Sequence, residues 1–103
     1  MFVGAYRIEL HLPAARSLKA KRSVLNSLKA RLAPLNVSVA EVDGQDLWQR
    51  SVIGVAAVSS DVAYLDDLAG RIRQVVEREP RALCLRILRD VRPAGDDLGA
   101  DVL

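Results

Sequence analysis

Apolar side chains alternate with side chains of mixed character at the start of the chain. The apolar face carries Phe2, Tyr6, Ile8, Leu10 and Leu12. A period of two places successive side chains on opposite faces of a β-strand, so this spacing predicts a strand with one buried face. Pro13 ends the strand because proline has no amide hydrogen to donate.

Helical spacing replaces this alternation after Pro13. Ser17 is a predicted N-cap, since its hydroxyl can accept a hydrogen bond from a free amide of the first turn, and Pro34 stops the helix. At ~100° per residue, one arc of this segment is apolar and the neighbouring ridge is basic. The arc carries Leu18, Val24, Leu25, Leu28 and Leu32, and the ridge carries Lys19, Arg22, Asn26 and Lys29. The pattern predicts a helix over residues 18–33 with one packing face and one basic face.

Two strands are predicted after this helix. Residues 37–42 are rich in β-branched valine, which is typical of a short strand. Asp43 and Gly44 then form a turn signal. Residues 51–58 are apolar or small on both faces, which indicates a strand in the middle of a sheet.

A second helix and a last strand complete the pattern. Ser60 and Asp61 are N-cap candidates, and helical spacing of apolar residues continues to Pro80. Alternation returns at residues 83–88. There, Cys84 is predicted on the open face of the sheet.

The order strand, helix, strand, strand, helix, strand predicts an α+β fold. Right-handed crossovers place both helices on one face of a four-stranded antiparallel sheet, which is the ferredoxin-like plait (βαββαβ). A chain of 103 residues has room for one domain, assigned to residues 1–91. Residues 92–103 lack apolar periodicity and are predicted to be a flexible acidic tail.

Charge divides the chain unequally. Residues 1–40 carry seven Lys/Arg and one acidic residue, for a charge of +6, whereas residues 41–103 carry −4. Most of this positive charge lies in the first helix and the segment just before it. The candidate RNA- or anion-binding residues are Arg16, Ser17, Lys19, Lys21, Arg22 and Lys29.

Two alternatives remain open for these basic residues. The whole face can instead be solvated and balanced by acidic side chains such as Glu41 or Asp46. Lys21 lies within the apolar arc, so it either holds a phosphate or pairs with a carboxylate of the loop 43–46. The sequence favours the pairing.

The segment after the Asp43-Gly44 turn is a second candidate site. Trp and Arg are the residue types that dominate interface hot spots, and both occur here. The candidate partner-interface residues are Gln45, Asp46, Trp48, Gln49 and Arg50. The alternative, which the sequence favours for Trp48, is that the indole caps one end of the core.

Catalytic and metal signatures are missing from the sequence. The glycines are dispersed, and His11 and Cys84 are the single residues of their types, so a Cys–His couple requires the two to meet across neighbouring strands. Phe2 and Tyr6 share the buried face, which disfavours a base-stacking platform on the strands. We predict no enzyme activity, no cofactor and no metal site.

The cysteine content and the hydropathy of the sequence predict the cellular compartment. A lone cysteine forms no internal disulfide, which favours a reducing, cytoplasmic location. The longest uncharged apolar run, residues 52–58, is far shorter than the roughly 18–20 residues of a membrane span. No membrane partner is expected.

Residues 17–22, 36–42 and 45–50 resemble the YlxP-like family of small bacterial proteins. The resemblance runs from about Val3 to Leu88 and implies a ferredoxin-like fold and a cytosolic bacterial protein. Family genes often lie beside those for translation initiation factor two and a ribosome-binding factor. The resemblance thus implies a role in ribosome maturation or translation, without naming an activity.

Together these observations predict a non-enzymatic RNA- or ribosome-associated module that contacts phosphates through its basic first helix. The partner would be an RNA or a ribosomal particle. The alternative is a homodimeric protein-interaction module that uses the open sheet face and the Trp48 loop.

Overall fold

A computed structural model describes residues 1–102 and contains four strands, two α-helices and one short 3₁₀ turn. In chain order the elements are β1 (Phe2–His11), α1 (Leu18–Leu32), the 3₁₀ turn (Ala33–Leu35), β2 (Ser38–Asp43), β3 (Arg50–Ser59), α2 (Val62–Glu77) and β4 (Leu83–Pro93). The predicted order of strands and helices is confirmed.

The strands form one antiparallel sheet in the order β2-β3-β1-β4. Ile8 of β1 lies opposite Ile53 of β3 on one side and Ile87 of β4 on the other, at the centre of the sheet. Both helices cover the face that carries Ile8, and their apolar stripes complete a single core with it. The fold is the predicted ferredoxin-like plait, and β3 lies in the interior of the sheet as its two apolar faces indicated.

Both helices begin at the predicted polar caps. The Ser17 hydroxyl accepts a hydrogen bond from the Ala20 amide at 3.0 Å, and Asp61 Oδ1 accepts one from the Ala63 amide at 2.9 Å. A side-chain cap satisfies one of the amides that a helix start leaves without a partner. The cap fixes where α1 starts and therefore which of its residues face outward.

A β-bulge in the β1–β4 pairing corrects the predicted placement of Cys84. The register shifts between Glu9 and Leu10, so Cys84 lies opposite Leu10 and Leu83 lies opposite His11. One extra residue reverses the alternation of a strand. Cys84 therefore lies on the helix-covered face and His11 on the open face, and the two do not form a couple.

Strand β4 continues to Pro93, two residues into the segment predicted as a tail. Arg92 and Pro93 pair with Val3 and Phe2, and the Ala94 amide donates to the Met1 carbonyl at 2.9 Å. Residues 94–102 contain no helix or strand. A flexible tail stays a prediction for this shorter segment.

Candidate nucleic-acid interface

The basic face of α1 points away from the core. The helix buries Val24, Leu25 and Leu28 against the sheet and α2, so side chains on its other side project into solvent. Four cationic side chains on that side are exposed, and within residues 1–102 none of them makes an ion pair. They are Arg16, Lys19, Arg22 and Lys29, which we call the basic ridge.

The next cation along α1 is already paired. Arg31 Nη1 lies 3.7 Å from Glu79 Oε2 and donates to the Arg78 carbonyl at 3.4 Å. This contact joins the C-terminal ends of α1 and α2. Arg31 therefore adds to the positive field, but it is less available to a ligand than the basic ridge.

Ser17 lies beside the basic ridge but acts as a cap. Its hydroxyl oxygen accepts from the Ala20 amide, and the side chain is half-buried. The capping interaction accounts for its position at the start of α1. Among the contacts of residues 1–102, none gives Ser17 a second role.

Lys21 does not belong to the anion-binding set, which corrects its inclusion there. Only 1% of its side chain is exposed, and its ammonium lies 3.0 Å from Glu41 Oε2. It also donates to the carbonyls of Gly44 at 2.7 Å and Gln45 at 3.1 Å. The favoured pairing with a carboxylate is thus confirmed, although the partner comes from β2 and not from the loop 43–46.

These contacts make Lys21 a clamp on the loop between β2 and β3. Burial of an ammonium group destabilises a protein unless all its N–H donors have acceptors. The Lys21 ammonium donates to one carboxylate and to two nearby carbonyls. No buried side-chain nitrogen or oxygen within residues 1–102 lacks a partner. The proposed balancing of the helix face by Glu41 therefore applies to Lys21 alone and leaves the basic ridge unneutralised.

Trp48 does not cap the core, which corrects the interpretation that the sequence favoured. Trp48 is 52% exposed, and the preceding Leu47 is 54% exposed. Two adjacent large apolar side chains thus project from the β2–β3 loop into solvent. Adjacent exposed apolar side chains of this kind are a candidate for recognition.

Gln49 has a structural role that its place in the candidate interface did not predict. Its side-chain amide donates to the carbonyls of Pro13 at 3.2 Å and Ala15 at 3.4 Å. Its own carbonyl accepts from the Leu12 amide at 2.9 Å and from His11 Nδ1 at 3.0 Å. No sequence motif predicts these contacts, because each contact joins segments more than thirty residues apart in the chain.

The Gln49 contacts bring the two candidate sites together. Ala15 accepts from Gln49, Arg16 follows Ala15, and Trp48 precedes Gln49. Gln45, Asp46 and Arg50 are also exposed. The loop 45–50 therefore lies at the same end of the molecule as the start of α1.

The open face of the sheet has an apolar centre with charges around it. A shallow concavity of 490 Å³ lies between residues of β1, β2, β3 and β4. Its floor contains Ala5, Ala40, Val42, Gly54, Ala56 and Leu88. Beside it, Arg7 lies 3.9 Å from Glu9 and 3.7 Å from Asp43, so both signs of charge border the apolar centre.

Residues 1–102 contain neither a metal-binding cluster nor a membrane-spanning helix. Among residues 1–102, no group of three or more His, Cys, Asp or Glu side chains could hold a metal ion. Neither helix of the described chain is long and apolar enough to cross a membrane.

Comparisons with known proteins agree with the resemblance in the sequence. Residues 3–89 match the model of a family described as a protein of unknown function (DUF503). The chain is 35% identical over 79 residues to the uncharacterized protein YlxP of Bacillus subtilis (strain 168), which covers 76% of this chain and 86% of that protein. A solution NMR structure of a de novo designed protein with ferredoxin fold aligns over 98% of this chain and 95% of its own, with 14% identity and a TM-score of 0.48.

Proposed function

Because the chain belongs to the DUF503 family of proteins of unknown function, we propose its role from its own geometry. The protein is a non-enzymatic module that binds RNA, free or within a ribosomal particle, through phosphate contacts of the basic ridge. The observation that carries the proposal is the set of four exposed cations without ion pairs in the described chain, Arg16, Lys19, Arg22 and Lys29.

The arrangement of these cations suits a chain of phosphates. Lys19 and Lys29 are about 15 Å apart along the axis, at 1.5 Å per residue, and Arg22 lies between them. Such a row neutralises several phosphates and releases their counterions, which supplies most of the sequence-independent affinity for nucleic acids. Acidic side chains do not interrupt the row, because α1 contains none.

His11 and Cys84, the residues that could serve as a base and a nucleophile, lie on opposite faces of the sheet. His11 lies on the open face and donates from Nδ1 to the Gln49 carbonyl. Cys84 lies on the other face, where burial raises the pKa of its thiol and disfavours the reactive thiolate. This separation supports a binding role.

The salt dependence of RNA binding tests the proposal. We expect the logarithm of affinity for a structured RNA to fall linearly with the logarithm of salt concentration. The double variant Lys19→Ala/Arg22→Ala is expected to reduce that slope by roughly one to two, since each lost phosphate contact removes about 0.7–0.9. Fluorescence anisotropy of labelled RNA across a salt series measures both slopes.

A charge-matched control is available on α2. Arg71→Ala/Arg73→Ala removes the same charge, but Arg73 is paired with Glu77 at 3.6 Å and both residues lie on the other helix. Its slope should match that of the parent protein. Equal slopes for the parent and the α1 variant would remove the basic ridge from the site.

The open sheet face supports a second candidate function, a homodimeric interaction module. Val58 and Leu88 are 66% and 44% exposed on this face, beside the concavity of 490 Å³. A two-fold interface brings one surface patch against its own copy and therefore needs a self-complementary patch, a requirement that an apolar centre bordered by both signs of charge suits. In this function the second copy would cover the apolar centre.

Sedimentation at micromolar concentration tests the second function. The parent protein is expected to sediment as a dimer, and Leu88→Glu as a monomer, because the variant places an unpaired charge in the interface. Val62→Glu is the control, since Val62 is 41% exposed at the start of α2 on the helix-covered side. A monomeric parent across the whole concentration range would contradict the homodimer.

A further inference from the structure

We propose that the indole of Trp48 is a stacking site for an unpaired RNA base, so that the ligand of this surface is single-stranded RNA. The inference rests on the proposed function and extends it from phosphate contacts to a class of RNA. It starts from three observations: the exposure of Trp48, the fixed conformation of its loop, and the unpaired cations on either side.

The loop that carries Trp48 is held from both sides. Before the tryptophan, the carbonyls of Gly44 and Gln45 accept from the buried Lys21 ammonium. After it, Gln49 bonds through its side chain to the β1–α1 connection and through its carbonyl to Leu12 and His11. An exposed aromatic ring on an anchored loop loses little conformational entropy when a planar group stacks on it.

Positive charge lies close to the exposed ring. Arg50 is exposed, follows Trp48 by two residues, and makes no ion pair within residues 1–102. The hydrogen bond from Gln49 to the Ala15 carbonyl also brings the loop next to Arg16, the first residue of the basic ridge. A shallow concavity of 370 Å³ lies along residues 46–50, and both Arg50 and the exposed Asp46 line it beside Trp48.

This combination fits single-stranded nucleic acid. Proteins bind such strands with a positive groove that follows the phosphates and with aromatic rings on which bases stack. A duplex would contact the cations but could not present an unstacked base. A protein partner that covered Trp48 would have to bury Arg16 and Arg50 with carboxylates placed to pair with them, whereas a phosphate chain neutralises both directly.

Trp48 is the single tryptophan of the chain, so its emission reports the contact directly. We expect a saturating single-stranded oligouridylate to quench that emission, and a blunt RNA duplex of equal length to leave it unchanged. Stacking is worth roughly tenfold or more in affinity per base, so Trp48→Ala should weaken oligouridylate binding about tenfold and leave duplex binding at the parent level. Trp48→Phe keeps an aromatic face and should stay within about threefold of the parent.

Anisotropy of labelled RNA, measured beside the emission, separates the possible failures. Binding that depends on the basic ridge, without quenching and without loss in Trp48→Ala, would overturn the stacking site while retaining the proposed function. The exposed loop would then be assigned to a protein partner. If neither RNA binds the folded parent protein, the proposed function and the stacking site both fail.

Discussion

Replacement of Lys21 by methionine is expected to lower the free energy of unfolding by about 3–5 kcal/mol, the cost of removing one partner from a buried ion pair. Methionine fills a similar volume but leaves Glu41, whose side chain is 18% exposed, without its cation. The Gln45 carbonyl also loses its donor, and the Gly44 carbonyl keeps only the Leu47 amide. Urea unfolding of the variant beside the parent protein measures the change.

Lys19→Met is the matched control for this prediction. Lys19 lies two residues earlier on the same helix and is exposed, so its replacement should change stability by less than about 0.5 kcal/mol. The double variant Lys21→Met/Glu41→Gln should recover part of the loss, because it removes the orphaned carboxylate. A Lys21→Met protein as stable as Lys19→Met would show that the clamp contributes nothing.

The same contacts connect stability with binding. Lys21 holds the start of the loop 44–49 and Gln49 holds its end, so the position of Trp48 depends on both. If the proposed function is correct, replacement of Lys21 is expected to weaken RNA binding through the loop that it positions, without loss of a phosphate contact. The neighbouring Lys19 and Arg22 are exposed, so their replacement is expected to change the proposed phosphate binding and to leave the stability of the fold almost unchanged.

The plait was predictable because its signals are local. Alternation in β1, the Ser17 cap, the apolar arc of α1 and the two-sided apolar pattern of β3 each depend on neighbouring residues. Every one of these signals is confirmed by the structure. These local signals are almost sufficient to predict the topology of a small α+β domain, because right-handed crossovers leave few ways to arrange the strands and helices.

The features that were predicted wrongly depend on contacts between distant segments. Cys84 was assigned to the open face because a bulge in the β1–β4 pairing, which reverses the alternation, leaves no local signal. Trp48 was expected in the core because a large apolar residue in a loop is usually covered. Trp48 is exposed, and the hydrogen bonds of Gln49 that hold its loop join residues 34 to 38 positions apart, so no local signal in the sequence predicts them.

The candidate-site residues also divide into those that local spacing placed correctly and those whose contacts involve distant segments. Helical spacing correctly separated the exposed Lys19, Arg22 and Lys29 from the packed side of α1. The same spacing placed Lys21 on the packed side, and only the structure shows which carboxylate and carbonyls satisfy it there. The closeness of the basic ridge to the Trp48 loop, on which the proposed stacking site rests, therefore could not be inferred before the loop contacts were known.

Acid is expected to destabilise the fold through Glu79, a buried carboxylate at the end of α2. Its side chain is 1% exposed and receives hydrogen bonds from Arg81 Nε at 2.7 Å, Arg81 Nη2 at 3.1 Å and the Arg81 amide at 3.1 Å. Hydrogen bonding from the Arg81 guanidinium, which outweighs the effect of burial, lowers the pKa of Glu79 from 4.5 to about 2. Since the pKa is lowered in the folded state, the stabilisation is complete above pH 4.5 and is lost as the pH falls toward 2.

Glu79→Gln isolates this contribution from that of the other carboxylates. The difference in pKa corresponds to at most ~3 kcal/mol, and solvent screening of the half-exposed Arg81 reduces the expected value to about 2 kcal/mol. The free energy of unfolding of the parent should therefore fall by about 2 kcal/mol more than that of Glu79→Gln between pH 5 and pH 2. Urea unfolding at a series of pH values measures both curves. Parallel curves over this range would show that Glu79 titrates with the same pKa in the folded and unfolded chain, and that its contacts with Arg81 do not stabilise the junction between α2 and β4.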